Sequence, residues 1–182
     1  MNSTTGSSES ADEWLQATCK RAIQASSLRV DMYVRSLAPA FGVRRRQESI
    51  FDRLRALSED GPVDDVTLSL WGDGVCVDGP CAETPACRRL RDRIETFQNW
   101  AADCARSVSV PFDRRSVTSS VVDDDYEEIT TPDVTLAVST DDGLALVVPC
   151  TVAGETICAP TLLDTLEQLT ADTSEASAYR PN

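Results

Sequence analysis

The sequence contains no histidine, a single lysine (Lys20) among 17 basic residues, and only 5% aromatic residues. Without an imidazole there is no Ser-His-Asp or Cys-His pair, no histidine general base and no imidazole metal ligand, which removes most hydrolase mechanisms. Long apolar runs are missing too. The longest, Leu144 to Val148, falls far short of the roughly 20 residues needed to cross a bilayer. The first ten residues lack the basic start and apolar stretch of a signal peptide, so the chain is expected in the cytoplasm. In that reducing compartment the seven cysteines, an odd number, are expected as thiols rather than as a disulfide framework.

Negative charge is what the chain has in excess: 30 acidic against 17 basic residues, a net charge of -13. An acidic surface stays hydrated where salt is high, and with lysine almost absent the composition reads as that of a halophilic protein. The 182 residues, 41% of them hydrophobic, suffice for one domain with a real core. Residues 1–10 and 170–182 have few apolar side chains and are expected as disordered tails.

Between those tails, residues 11–27 read as an N-terminal helix, with Leu15, Cys19, Ala22 and Ile23 on one face. A single α/β domain is expected over 28–169. Leu28, Val30, Met32 and Val34 alternate with polar neighbours as in a strand. Residues 44–59 then place Ile50, Phe51, Leu54 and Leu57 on one helical stripe, stopped by Gly61-Pro62. Val66, Leu68 and Leu70 form a second alternating strand, whose inward face these three are expected to supply, making a parallel strand-helix-strand unit. Thr84-Pro85 caps a helix that carries Leu90, Ile94, Phe97, Ala101 and Cys104. Val108 to Val117 suggests a strand and residues 123–125 an acidic loop. Residues 134–138 and 144–148 form a hairpin around Asp141-Asp142-Gly143, and Thr161 caps a last helix. The order predicts an α/β, thioredoxin-like mixed sheet with flanking helices, with Pro132 just before the hairpin. The alternative is a ferredoxin-like α+β fold, using 75–77 as a further strand.

Certain residues carry a resemblance: 29–39 (Arg-Val-Asp-Met-Tyr-Val-Arg-Ser-Leu-Ala-Pro), Arg46-Gln47-Glu48, Trp71-Gly72 with Val75-Cys76, and Val148-Pro149-Cys150. Over roughly 28–169 the chain resembles a haloarchaeal family of small proteins labelled "helix-turn-helix domain protein". The resemblance implies a transcription-related role and assigns no catalytic residue, ligand or cofactor. Cys81, Cys87 and the acidic stretch near Asp124 depart from the family pattern. The residues themselves do not predict the tandem helices of that motif, since the two strongest helices are separated by a strand and a loop.

Three constellations are candidate sites. Arg44, Arg45 and Arg46, read with Arg53, Arg55 and the arginines at 88, 89, 91 and 93, offer phosphate contacts for DNA. Phosphate affinity falls steeply with salt, a net charge of -13 repels DNA, and Glu48, Asp52, Asp92 and Glu95 lie at ion-pair spacing, so DNA is disfavoured. Cys76, Cys81, Cys87 and Cys150 are weak metal candidates, because their spacing matches no recognised zinc or iron-sulfur pattern. No metal or other cofactor is expected. Trp71, on the outward parity of its strand, is a candidate partner contact, with burial under a helix on the sheet's second side as the simpler reading. The paired acids at 64–65, 123–125, 127–128 and 141–142 read as solvated surface. The sequence therefore predicts a non-enzymatic binding or regulatory module with a protein partner, its oligomeric state open. The rival classes are a DNA-binding transcriptional regulator and a thiol or metal-binding protein.

Overall fold

The alternation at 28–34 becomes the central strand of the protein, and the rest of the chain is arranged on its two faces. The computed structural model describes residues 10–79, 81–105, 107–118 and 125–178. In chain order the elements are α1 (Ala11–Gln24), β1 (Leu28–Val34), α2 (Phe41–Glu59), β2 (Asp65–Leu70), β3 (Gly74–Cys76), α3 (Pro85–Asp103), β4 (Val108–Ser109) and β5 (Arg114–Thr118). They continue with β6 (Asp125–Thr130), β7 (Val134–Thr140), β8 (Gly143–Val148), β9 (Cys150–Val152), β10 (Glu155–Ile157) and α4 (Ala159–Ala178).

A four-stranded sheet runs in the order β2-β1-β7-β8. β1 and β2 are parallel, with Met32 opposite Leu68, and α2 is the crossover between them. β7 lies antiparallel to β1, with Met32 opposite Leu136, and turns back into β8 at Gly143, whose φ of 118° suits glycine. Because side chains alternate across a strand, β1 serves two cores. Leu28, Val30, Met32 and Val34 point into a layer shared with Leu136, Val138 and the buried faces of α1, α2 and α4. Tyr33 points the other way, into a second layer with Trp71, Val75, Ile94, Phe97 and Phe112. Phe97 and Ile94 come from α3, so α2 and α3 cover opposite faces of the sheet.

The class is α/β, a mixed sheet with flanking helices, and it differs from the expected layout in several places. Residues 75–77 do not extend the main sheet: β3 pairs with β6 in a small sheet of order β3-β6-β5, which removes the ferredoxin-like use of that segment. The strand expected from Val108 is split at Pro111-Phe112. β4 joins β9 and β10, while β5 pairs with β6. β6 begins within the acidic stretch at Asp125, and residues 119–124 lie outside the described residues. α4 runs from Ala159 to Ala178, so a helix occupies 170–178 where a tail was expected; residues 179–182, like 1–9, lie outside the described residues. α1 is fixed by a capping box, Ser10 Oγ accepting from the Glu13 N–H and Glu13 Oε2 from the Ser10 N–H, and it buries Leu15, Cys19 and Ala22. No helix among the described residues is long and apolar enough to cross a membrane.

Candidate functional site

The start of α2 is built unlike the start of an ordinary surface helix. Ala40 provides no side-chain cap, and the first turn holds no acid. Arg44, Arg45 and Arg46 follow at once. Positive charge beside the positive end of a helix dipole costs about 0.3–1 kcal/mol per group, so local stability does not explain the placement. Two large apolar side chains accompany it: Leu37 in the preceding loop is 67% exposed and Phe41 is 74% exposed.

Successive helical residues point about 100° apart, and the three arginines are accordingly splayed rather than stacked into one patch. Arg44 donates through Nε to Glu48 Oε1 at 2.8 Å and lines a shallow groove with Phe51 and Leu68. The Arg45 guanidinium lies 5.0 Å from the centre of the Phe41 ring. Arg46 turns to the opposite flank, into a recess of about 400 Å³ with Pro132, Asp133, Pro149 and Cys158. Nearby, Arg35 is held by Asp133 at 3.3 Å and Asp73 at 3.9 Å.

The other basic residues are mostly committed within the chain. Arg53 reaches across to α4, at 2.6 Å from Asp164 and 2.7 Å from Glu167, and Arg55 pairs with Glu59 at 2.8 Å. On α3, Arg93 donates to the Tyr33 hydroxyl and to Asp31 Oδ2 at 2.7 Å, and Arg91 donates to the Val77 carbonyl. Since α3 lies across the sheet from α2, its arginines and those at 44–46 do not make one phosphate-binding surface. Of the acids expected as ion-pair partners, Glu48 is one, whereas Arg93 takes Asp31 from β1 rather than a helical neighbour.

Trp71 is not a surface residue. It is 2% exposed, stacks on Tyr33 with centroids 4.9 Å apart, meets Phe112 edge-on at 5.4 Å, and its Nε1–H donates to the Pro132 carbonyl. The outward parity was real, but the second face of the sheet is covered by α3, which turns that position into core.

The cysteines divide into groups. Cys76 on β3 has its thiol pushed up first by burial, then by Cys81 and Cys87. Cys150 stands apart in the first core layer, its pKa pushed up to about 12 by burial and then by Cys104. The four metal candidates therefore do not share a site, because β9 carries Cys150 away from β3. Among the described residues, no group of three or more cysteines or acids is placed to hold a metal ion. All seven cysteines are free thiols. Some paired acids do structural work: Asp64 Oδ2 accepts from the Leu28 N–H at 2.7 Å, and Glu128 pairs with Arg115.

What the sequence did not reveal is the exposure of Leu37, Phe41, Leu68 and Leu70. Periodicity marks apolar positions but not which side of an element finds a cover. One signal was available: Phe41 lies between a proline and three arginines, in a place where no core-forming period had begun.

A family model described as a helix-turn-helix domain matches residues 22–173, and that description points to a DNA-binding regulatory role. No curated protein and no solved structure matches the chain, so the thioredoxin-like comparison rests on element order alone. Among the described residues, a strand intervenes between every helix and the next.

Proposed function

We propose that the chain, which belongs to the helix-turn-helix domain family, is a non-enzymatic regulatory module that binds a protein partner through the head of α2. The observation that carries this reading is the pair Leu37 and Phe41, 67% and 74% exposed, with Arg45 laid over the Phe41 ring. Exposed aromatic and aliphatic side chains beside an arginine are the residue types that anchor protein contacts. The lack of histidine leaves no imidazole acid-base chemistry for a catalytic alternative. The test is affinity purification of the full chain from its own cells at native salt, comparing wild type with a Leu37→Ser, Phe41→Ser variant. A partner retained by wild type and lost by a variant of unchanged melting temperature is the expected result. Equal recovery by both overturns the reading.

A second reading, direct DNA binding, is favoured by the family's description and by Arg45 and Arg46, which have no carboxylate within ion-pair distance among the described residues. Two phosphate contacts give a slope of about -1.8 in log affinity against log salt, whereas six to ten contacts give about -5 to -9. The isolated chain is expected to form no sequence-specific complex. Motif-bearing peaks in genomic immunoprecipitation that vanish when positions 44, 45 and 46 are all changed Arg→Gln establish the DNA reading instead.

A further inference from the structure

β2 is one edge of the main sheet, and among the described residues no strand pairs with its outer side. The opposite edge strand, β8, buries Leu146, Val147 and Val148. β2 is bare by comparison: Leu68 is 47% and Leu70 53% exposed. Open edges are ordinarily blunted by lysine, proline or a bulge, because their free N–H and C=O groups template pairing with another chain. β2 reads Asp-Val-Thr-Leu-Ser-Leu and pairs with β1 without a register shift, so it carries none of these devices.

The neighbouring stripe of α2 indicates the occupant. Arg44, Glu48 and Phe51 line the groove beside Leu68, and helical spacing continues that stripe through Arg55 to Glu59. Along it the charges alternate, positive, negative, positive, negative, and the pairs Arg44–Glu48 and Arg55–Glu59 are both closed at 2.8 Å. Reversed end to end, this pattern is complementary to itself. A two-fold axis between positions 51 and 52 sets Arg44 opposite Glu59 of a second copy and Glu48 opposite its Arg55. The same axis through Leu68 sets Leu68 against its own copy, Val66 against Leu70, and Thr67 against Ser69. Because Phe51 and Leu68 line one groove, a single axis serves helix and strand. Such an interface is isologous, the form that closed dimers take.

We infer that β2 and the outer stripe of α2 form a two-fold interface with a second copy of this chain, the edge strands pairing antiparallel about Leu68. The inference deepens the reading above and rests on it only in that the chain works by contact. It is tested at positions 44, 48, 55, 59 and 68. Leu37 also lines that groove, so the Phe41→Ser change on its own, outside the groove, is the one that reads the partner contact alone, and either can then fail without the other.

The experiment is sedimentation equilibrium of the full chain at a salt concentration where it is folded. Wild type is expected at twice the 19.8 kDa of one chain, and Leu68→Lys at the mass of one chain with an unchanged circular dichroism spectrum. Two charge-swapped variants keep the intrahelical pairs while reversing the pattern: Arg44→Glu with Glu48→Arg, and Arg55→Glu with Glu59→Arg. Each alone faces like charges across the axis and is expected as a monomer. Mixed together they face opposite charges at every position and are expected to form a heterodimer. Monomeric wild type, a Leu68→Lys variant that stays dimeric, or no association on mixing the swapped variants overturns the proposal.

Discussion

Two phenylalanines separate what holds the fold from what the fold presents, and replacing each with alanine makes the difference measurable. Phe97 is 0% exposed. Its ring meets Tyr33 edge-on at 5.7 Å and Phe112 at 6.0 Å, and the Arg93 guanidinium lies 5.6 Å from its centre. Removing a buried phenylalanine ring costs about 3–5 kcal/mol, transfer and cavity together. In a chain of this size each kcal/mol moves the melting temperature by about 2–4 °C, so Phe97→Ala is expected to melt roughly 6–20 °C below wild type. Phe41 is 74% exposed, so its removal costs within about 0.5 kcal/mol, plus about 0.5–1 kcal/mol for the exposed contact with Arg45. Phe41→Ala is therefore expected within a few degrees of wild type. The assay is thermal melting followed by circular dichroism, at fixed salt because of the net charge of -13 and at fixed protein concentration because association shifts melting. A Phe97→Ala variant that melts with wild type would show that the second core layer is not packed as described. A Phe41→Ala variant that falls as far as Phe97→Ala would make Phe41 structural and leave the partner reading without its main support.

The acid excess opposes compaction unless screened, so the melting temperature is expected to rise from about 0.1 M toward 3 M KCl, a range spanning the change in screening length; a flat dependence refutes this. Burial pushes Cys19 up from 9.0 to about 12, and Cys150 likewise. A thiol that keeps its proton longer when folded contributes stability that is complete below pH 9 and lost as pH rises toward 12. Stability is therefore expected to fall across that window, less steeply in Cys19→Ala, and an identical slope in the variant counts against burial as the cause. In thiol labelling of the folded chain, the exposed Cys81 and Cys158 are expected to react first and Cys19 and Cys150 only on unfolding; early modification of Cys150 contradicts the first core layer. Elemental analysis of protein purified without chelator is expected to find no stoichiometric metal, and one zinc per chain would place Cys76, Cys81 and Cys87 first among the residues to mutate.

The parallel β1–α2–β2 unit, the β7–β8 hairpin and α3 were legible because each combines a clean period with punctuation: alternation over 28–34, Asp-Gly at 142–143, Thr84-Pro85 before an apolar stripe. The short strands were not. β9 and β10 turn at Ala153-Gly154, where both residues have positive φ, and alanine there gives no turn signal. β6 begins in acids because its first half is solvated: Asp125 and Glu127 are exposed, whereas Glu128 and Ile129 further along the strand are buried. α4 continues past Leu169 through residues whose composition suggested a tail. The parities of 66–70 and of Trp71 are legible in the sequence, and so is the simpler reading of Trp71 as buried under a helix, but the exposure of Leu68 and Leu70 is not. Leu68 and Leu70 lie in solvent because β2 is an edge, while Trp71 is buried because α3 folds over it. Parity names a side of the sheet; only the positions of the other elements decide whether that side is dry.

The same distinction bears on how a helix-turn-helix family member whose described helices are each separated by a strand meets its target. In that motif one helix is braced by another across the phosphate backbone, and its first residues read base edges. Here α2 is braced by the sheet instead, its buried face spent on Ile50, Leu54 and Leu57, so only its head and outer stripe are available. At the head, Asp133 and Asp73 offset Arg35 and Glu48 offsets Arg44, which leaves Arg45 and Arg46 without an ion-pair partner among the described residues, in a chain of net charge -13. Two uncompensated arginines supply little counterion release, whereas two exposed apolar side chains and an open strand edge supply contact area that salt does not weaken. The surface chemistry thus favours association between proteins. In a two-fold assembly each copy presents its own α2 head, so any nucleic-acid contact is made twice, from two symmetry-related places, rather than by one helix with a tandem brace.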